Sequence, residues 1–168
     1  MDTTPVLLPY KSVGVYLDPV PPFIFKINKK EYLLVSTIHS FKLMKLPSLK
    51  IKLMGPHFPN KIRAVSAVNE RIYVATKNII HRLHYYHIEK TYTSVFEDKI
   101  NCLLNFGNKL ICGDQQGNLQ VFDEKTGESL LVHQFGWNIQ KVIHPNTYLN
   151  KILVAGGHHL ILFNIMTG

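Results

Sequence analysis

The sequence has few cysteines, few acidic residues and no long apolar run. Its 168 residues include two Cys, and 11 Asp and Glu stand against 19 Lys and Arg. Two cysteines cannot form a disulfide framework, and they fit a reducing compartment. No apolar run approaches the roughly 18–20 residues that cross a bilayer. The first residues, Met1-Asp2-Thr3-Thr4-Pro5, have no basic segment and no long apolar stretch, so we expect no secretory signal there.

The sequence also lacks the motifs of the common enzyme classes. It contains no Gly-x-Gly-x-x-Gly, Gly-x-x-x-x-Gly-Lys-Ser/Thr, His-Glu-x-x-His or Gly-x-Ser-x-Gly pattern. A metal site remains an alternative, because His81, His84 and His87 are spaced by three. On one strand His81 and His87 would share a face, but no Cys or carboxylate follows at ligand spacing. We therefore expect no enzymatic activity, no bound metal and no cofactor.

The positive charge is concentrated in one quarter of the chain. The formal net charge is +8, and residues 26–63 contain nine basic residues with Glu31 as the one acid. This clustering predicts a surface that contacts phosphates. The candidate RNA or phosphate contacts are Lys42, Lys45, Lys50, Lys52, Lys61 and Arg63. The alternative is a solvated face that keeps the protein soluble.

The short apolar runs predict strands rather than helices. They are rich in Ile, Val, Leu, Phe and Tyr and are separated by Gly, Asn and Pro, and no stretch keeps a helical period. The clearest unit is a four-stranded antiparallel sheet, with strands at Ile100–Leu104, Lys109–Gly113, Asn118–Asp123 and Ser129–Gln134. Cys102 and Cys112 fall on adjacent strands of this unit, where we expect them to be small core residues.

This unit recurs along the chain. Lys151–Gly156 and Leu160–Asn164 repeat its second and third strands at spacings of 42 and 41 residues. Arg71–Ala75 precedes the second strand by 38 residues, and Glu31–Ser36 precedes Arg71–Ala75 by a further 39. These spacings are close to those of WD40 repeats. The sequence therefore predicts an all-β fold, a WD40-type β-propeller, with an N-terminal extension at 1–21 and blades at about 22–56, 57–97, 98–135 and 137–168.

The propeller is expected to be incomplete. The Trp-Asp dipeptide of a WD repeat is represented by Phe122-Asp123 and Phe163-Asn164, where an aromatic ring would fill the space between blades, and it is not evident in the first two blades. Gly168 corresponds to Gly127, the turn before a fourth strand. We expect the remaining blades to come from further sequence or from a partner chain. The alternative fold is a β-meander or sandwich with regularly spaced strands.

One segment is more specific than the repeat. Residues 143–154 read Ile-His-Pro-Asn-Thr-Tyr-Leu-Asn-Lys-Ile-Leu-Val. This segment resembles the signature of a WD-repeat family of the small-subunit processome, the U-three small-nucleolar-RNA-associated protein twenty-one group, called WD repeat-containing protein thirty-six in animals. Residues 10–14 and 20–23 look like the opening of the same family. The signature residues, for which we expect a structural role, are His144, Pro145, Thr147, Tyr148, Leu149, Asn150 and Lys151.

The resemblance implies a non-enzymatic scaffold. Members of that family carry two tandem propellers and a C-terminal helical domain, and they work in the UTP-B subcomplex, which binds pre-ribosomal RNA and the guide small nucleolar RNA. For this chain it implies other WD-repeat subunits as partners, pre-rRNA or small nucleolar RNA as a further partner, no membrane, and a location in the nucleus and nucleolus. The chain corresponds to part of a first propeller. The alternative is a WD-repeat adaptor in another complex, such as a ubiquitin ligase or trafficking machinery.

Overall fold

The computed structural model describes residues 20–168, so most of the predicted extension at 1–21 lies outside the described residues. Fifteen strands make up the regular secondary structure of this part of the chain. They are β1 (Phe23–Ile27), β2 (Lys30–Ser36), β3 (Phe41–Lys45), β4 (Lys50–Met54), β5 (Ile62–Val68), β6 (Arg71–Thr76), β7 (Ile79–His84), β8 (His87–Thr93), β9 (Ile100–Phe106), β10 (Lys109–Asp114), β11 (Asn118–Asp123), β12 (Ser129–Gln134), β13 (Lys141–Ile143), β14 (Lys151–Gly156) and β15 (His159–Asn164).

The strands form four antiparallel sheets, each built from consecutive strands. We call them blades one to four: β1–β4, β5–β8, β9–β12 and β13–β15, the last with three strands. These strands form at the short runs of β-branched and aromatic residues, because such side chains pack well on a pleated, half-buried surface. Between residues 20 and 168, no helix has the length and apolar character needed to cross a membrane. The predicted all-β fold is confirmed.

Tight hairpins join the first two strands of blades one to three. Asn28, Asn69 and Gly107 have positive φ angles of 48°, 54° and 57° at these turns. Two-residue turns that match the twist of paired strands need positive φ, and Gly and Asn adopt it most readily. The Gly and Asn residues between the apolar runs therefore set the strand register locally.

The blades stack face to face, with the first strands β1, β5, β9 and β13 lying side by side in chain order. One apolar cluster lies between blades one and two, a second between two and three, and a third between three and four. The four sheets do not close into a ring. The expectation of an incomplete WD40-type propeller is confirmed.

An apolar side chain on the third strand fills each space between blades. Phe122 is 2% exposed and packs with Tyr92 of the preceding blade, with 5.7 Å between ring centroids. Phe163 occupies the same position in blade four and is also buried. The strand register identifies the counterparts that the sequence did not reveal. Leu83, opposite Ile72, fills the space between blades one and two, whereas Met44, opposite Leu33, is buried on the face of blade one that points away from blade two.

Gly156 offers a direct test of this packing. A Cβ atom at Gly156 would lie 1.9 Å from the carbonyl oxygen of Asn138, which is backbone and cannot rotate away. We expect Gly156→Ala to lower the free energy of unfolding by about 3 kcal/mol, measured by urea denaturation. The adjacent Gly157 has a φ of 56° and open space around its Cβ position. Gly157→Asn should change stability by less than about 1 kcal/mol, and equal losses in both variants would contradict the packing.

Candidate interaction surfaces

Three of the predicted phosphate-contacting residues lie together on the outer strands of blade one. Lys45 of β3 is directly opposite Lys50 of β4, and Lys52 is the extra residue of a β-bulge on β4. All three are exposed, and we call them the outer lysine group. Like charges directly opposite each other are unfavourable unless a counter-charge binds. Lysines on an edge strand also discourage pairing with other chains, so the interpretation as a solvated face stays open.

The other three predicted residues lie elsewhere. Lys42 is three residues before Lys45 on β3, and side chains alternate along a strand, so it lies on the opposite face of the sheet. Lys61 and Arg63 line a cavity of about 250 Å³ together with Asn101 and Gln140. The structure therefore separates the six candidates into the outer lysine group, Lys42, and an inner pair of Lys61 and Arg63. Contact with RNA stays a prediction for each group.

The signature residues lie in the loop between β13 and β14, which covers residues 144–150, except Lys151, which is the first residue of β14. The His144 imidazole stacks on the Phe106 ring at 3.6 Å between centroids. Its Nε2 lies 2.6 Å from the carbonyl oxygen of Tyr148, and because a carbonyl only accepts, the imidazole donates this hydrogen bond. The Tyr148 amide donates to the carbonyl oxygen of Pro145 at 3.2 Å. The first half of the loop is thus held to blade three and to itself.

The second half of the loop is held by the last blade. The Lys151 ammonium lies 5.1 Å from the centroid of the Tyr148 ring, a cation–π contact. The carbonyl oxygen of Asn150 accepts a hydrogen bond from the Ile165 amide at 2.9 Å. Thr147 is exposed, and Leu149 is 87% exposed. The loop is therefore a fixed structural element that leaves the side chain of Leu149 in solvent.

One apolar face of blade four is exposed, because none of the other elements described in residues 20–168 covers it. Cross-strand pairing places Ile143, Leu153 and Leu162 in one row and Leu160 opposite Ala155 in the next. Ile143 is 49% exposed, Leu162 42% and Leu160 68%. We call this surface the open face; its residues are Ile143, Leu153, Ala155, Leu160 and Leu162.

The corresponding face of blade three is buried. Ile111 and Val121 hold there the positions of Leu153 and Leu162, and both are 0% exposed because blade four packs on them. The sequence contained this signal, since the repeat at spacings of 41 and 42 aligns these residues. The open face is thus built like the faces that bury a neighbouring blade.

A buried carboxylate links the second and third blades, and the sequence analysis did not identify it. Glu124 follows β11, and its side chain is 7% exposed. Its Oε1 accepts hydrogen bonds from the Tyr73 hydroxyl at 2.8 Å and from Arg82 Nη1 at 2.7 Å. Arg71 Nη1 lies 3.4 Å from the same carboxylate. These partners are 42 to 53 residues away in the sequence, so no local motif reveals them.

The charges in this cluster compensate one another. Burial raises the pKa of Glu124, but hydrogen bonds from Tyr73 and Arg82 and the charges of Arg71 and Arg82 outweigh it, and the pKa lies below its ordinary value. Burial, together with the hydrogen bond to Glu124, raises the pKa of Tyr73. At neutral pH the cluster therefore contains an ionised carboxylate, a neutral phenol and two guanidinium groups. It is an ionic link between blades, at the edge of a cleft of about 640 Å³.

The single-strand arrangement considered for the spaced histidines is wrong. His81 and His84 lie on β7, whereas His87 begins β8 directly opposite His84. Tyr85 and Tyr86 form the hairpin turn between these strands, and both side chains are exposed. Across residues 20–168, no three His, Cys, Asp or Glu side chains are grouped in a way that could hold a metal ion.

The two cysteines are free and buried. Cys102 is paired with Gly113, and Cys112 with Leu103, so the two thiols project from opposite faces of the sheet. Burial raises the pKa of the Cys102 thiol to about 12 and also raises that of Cys112. Both are small core residues and not reactive thiolates.

No protein-family profile matches the sequence. Human WD repeat-containing protein 36 is 22% identical over 154 residues, which are 87% of this chain and 17% of that protein. A chain in a crystal structure of the mitotic checkpoint complex aligns with a TM-score of 0.72 at 11% identity, over 86% of this chain and 48% of that one. The computationally designed Ika4 protein aligns with a TM-score of 0.67 at 13% identity, over 93% and 99% of the two chains. These likenesses show the fold.

Replacing the buried carboxylate tests the ionic link. Glu124→Gln keeps the side-chain size but removes the charge that Arg82 faces, and we expect it to lower the free energy of unfolding at pH 7 by about 3 kcal/mol. The folded-state pKa of Glu124 lies below its ordinary value of 4.5. Its contribution is therefore present above about pH 4.5 and is lost as the pH falls through the folded-state pKa. The difference between wild type and variant, measured by denaturation, should shrink below that pH.

The control for this prediction is the exposed Glu97. Glu97→Gln should change the free energy of unfolding by less than about 0.5 kcal/mol at every pH. A Glu124→Gln loss that stays constant between about pH 3 and pH 7 would show that the carboxylate charge does not stabilise the fold.

Proposed function

We propose that this chain is part of a non-enzymatic WD-repeat scaffold subunit of the small-subunit processome, in a UTP-B-like complex that supports small-subunit rRNA processing and ribosome biogenesis in the nucleolus. The observation that carries the proposal is the sequence of the loop at 144–150, which resembles the signature of the processome family. The 22% identity with human WD repeat-containing protein 36 over 87% of the chain supports it. The fold alone would not, because propellers serve many functions. The chain spans 17% of that relative's length, so the role of a whole subunit is part of the proposal.

The open face gives the scaffold role a structural basis. We propose that a further four-stranded blade packs on Ile143, Leu153, Leu160 and Leu162, supplied by further sequence or by another WD-repeat subunit. An apolar surface of this kind is unfavourable in water and marks an interaction site. The edge strand β15 also has unpaired backbone groups on the side away from β14. A neighbouring blade covers the apolar surface, and a fourth strand pairs with the backbone groups at the edge of β15.

The second candidate is a WD-repeat adaptor in another complex. The fold, which resembles that of a chain of the mitotic checkpoint complex at a TM-score of 0.72, is compatible with it but does not favour it over the first candidate. This candidate shares the protein-binding surfaces of the first, but it gives no role to pre-ribosomal RNA. The two functions therefore differ in their partners rather than in their chemistry.

Purification of the tagged protein from its own cells separates the two functions. We expect recovery of nucleolar WD-repeat subunits together with pre-rRNA and small nucleolar RNA, and a nucleolar signal by microscopy. Depletion of the protein should cause unprocessed small-subunit rRNA precursors to accumulate. Recovery with cytoplasmic complexes alone, and normal rRNA processing after depletion, would rule out the processome and favour the adaptor.

The grouping of the basic residues makes the RNA prediction specific. We expect the triple variant Lys45→Glu, Lys50→Glu and Lys52→Glu to weaken RNA binding and to reduce its salt dependence. Each lost phosphate contact removes about 0.7 from the slope of log K against log salt for single strands, so three contacts remove about 2. The measurement is a salt titration of RNA binding by fluorescence anisotropy.

A charge-matched control separates local contact from overall charge. Lys77→Glu, Lys99→Glu and Lys125→Glu change three exposed lysines of the other blades and alter the net charge equally. Equal slopes for the two triple variants would show that the outer lysine group is a solvated face. The variant Lys61→Glu with Arg63→Glu tests the inner pair in the same titration.

A further inference from the structure

The loop at 144–150 differs from its counterparts in length and in what it exposes. In blades one to three, two residues join the first and second strands, at 28–29, 69–70 and 107–108. In blade four, the same connection has seven residues. The longer loop contains Leu149, whose 87% exposure exceeds that of every other large apolar side chain between residues 20 and 168.

Leu149 lies at the turn end of the blade and not on the open face. The Asn150 carbonyl oxygen accepts from the amide of Ile165, just as the Asn108 carbonyl oxygen accepts from the amide of Glu124. Leu149 therefore takes the position that Gly107 has in blade three, in the hairpin turn. A further blade stacked on the open face would leave this end of blade four accessible, so the exposure of Leu149 needs its own explanation.

Two more apolar side chains accompany Leu149. The β14–β15 ladder pairs Lys151 with Asn164, and the hydrogen bond between Asn150 and Ile165 continues the same register. Met166 follows Ile165 in the turn at 165–167, at the same end of blade four as the loop. Met166 is 60% exposed and Tyr148 is 40% exposed. We call Tyr148, Leu149 and Met166 the loop patch.

The loop patch is already ordered. The stacking of His144 on Phe106 and the hydrogen bond from His144 to the Tyr148 carbonyl oxygen fix one end. The hydrogen bond between Asn150 and Ile165 fixes the other end. A surface held in its bound shape loses less conformational entropy on association. Tyr and Met are also among the side chains enriched in protein interfaces.

The charge of blade four indicates which partner the loop patch fits. Residues 129–168 contain Lys141 and Lys151 but no Asp or Glu. A complementary surface has an apolar pocket with carboxylates at its rim. RNA fits less well, because Leu149 and Met166 offer neither an aromatic ring for a base nor a hydrogen-bond donor for a phosphate, and Tyr148 is the one aromatic residue of the patch. The Lys151 ammonium also lies over the ring of Tyr148.

We infer that the loop patch docks into an apolar pocket with an acidic rim on a partner protein. The inference rests on the proposed scaffold role, since it presumes a protein partner, but it assigns the contact surface and not the complex. Leu149 enters the pocket, Tyr148 and Met166 flank it, and Lys151 faces the acidic rim.

Photo-crosslinking identifies what lies against the loop patch. The full-length protein is expressed in its own cells with p-benzoylphenylalanine in place of Leu149, and crosslinked residues are located by mass spectrometry. We expect a crosslink to an apolar residue of one protein, with Asp or Glu residues around it. Crosslinks only to RNA, only within the same polypeptide, or to nothing would overturn the inference.

Binding to the partner identified in this way provides the second test. Leu149→Ser should raise the dissociation constant about tenfold or more, because the buried leucine is lost. The melting temperature should not change, because Leu149 is 87% exposed. Lys151→Gln should weaken binding at low salt more than at high salt. The control Val95→Ser alters a side chain that is 64% exposed in blade two, and it should leave the affinity unchanged.

These outcomes separate the inference from the proposed function. A partner outside the processome whose acidic-rimmed pocket binds Leu149 would support the inference and remove the proposed function. Retained assembly into the processome, with the Leu149→Ser dissociation constant within about twofold of wild type, would overturn the inference and leave the proposed function standing.

Discussion

Face-to-face packing between neighbouring sheets is the constraint on which this structure depends. The described regular structure is entirely strand, so a sheet can bury its apolar faces only against the next sheet. Between blades two and three, Tyr73 and Tyr92 meet Phe122, and all three are at most 2% exposed. Large aromatic side chains of this kind contribute about 1.5–3 kcal/mol each when fully buried. Stacking of blades is therefore the main source of stability, and hairpins alone would be marginal.

The same constraint explains the polar link and the exposed surfaces. Glu124 is ionised yet buried because Tyr73, Arg71 and Arg82 of the adjacent blade satisfy it, Tyr73 by a hydrogen bond and the two arginines by their charges. The open face of blade four has the composition of an internal blade face but lacks a neighbour among the described residues. The faces, edges and turns of the blades are therefore the surfaces on which the proposed scaffold role rests.

The sequence predicted the parts of the fold that local chemistry determines. Gly107 and the alternating apolar residues around it specify a hairpin, and the recurrence of that pattern predicted the repeat. The counterparts of Phe122 in the first two blades were missed because Met44 and Leu83 are not aromatic. The strand register was needed to find them. The regular spacing of the three histidines led to a wrong expectation, because the turn at Tyr85 and Tyr86 divides this segment into two strands.

The candidate surfaces were harder to predict from the sequence than the fold was. The six basic residues are close in the chain, but side-chain alternation and the path of β3, β4 and β5 distribute them over separate places. The Glu124 link joins residues up to 53 positions apart, so only the folded chain brings it together. The loop at 144–150 was recognised as a signature, but its length relative to the other hairpins and the exposure of Leu149 became visible only with the blades aligned.

Hydrogen–deuterium exchange on the protein purified in its natural assembly tests whether another blade covers the open face. We expect the backbone amides of β15 to exchange as slowly as those of β11, because a neighbouring blade covers the open face and a fourth strand pairs with the edge. Slow exchange in β11 with exchange in β15 that is faster by orders of magnitude would contradict it. In that case blade four would end the stack with an uncovered face.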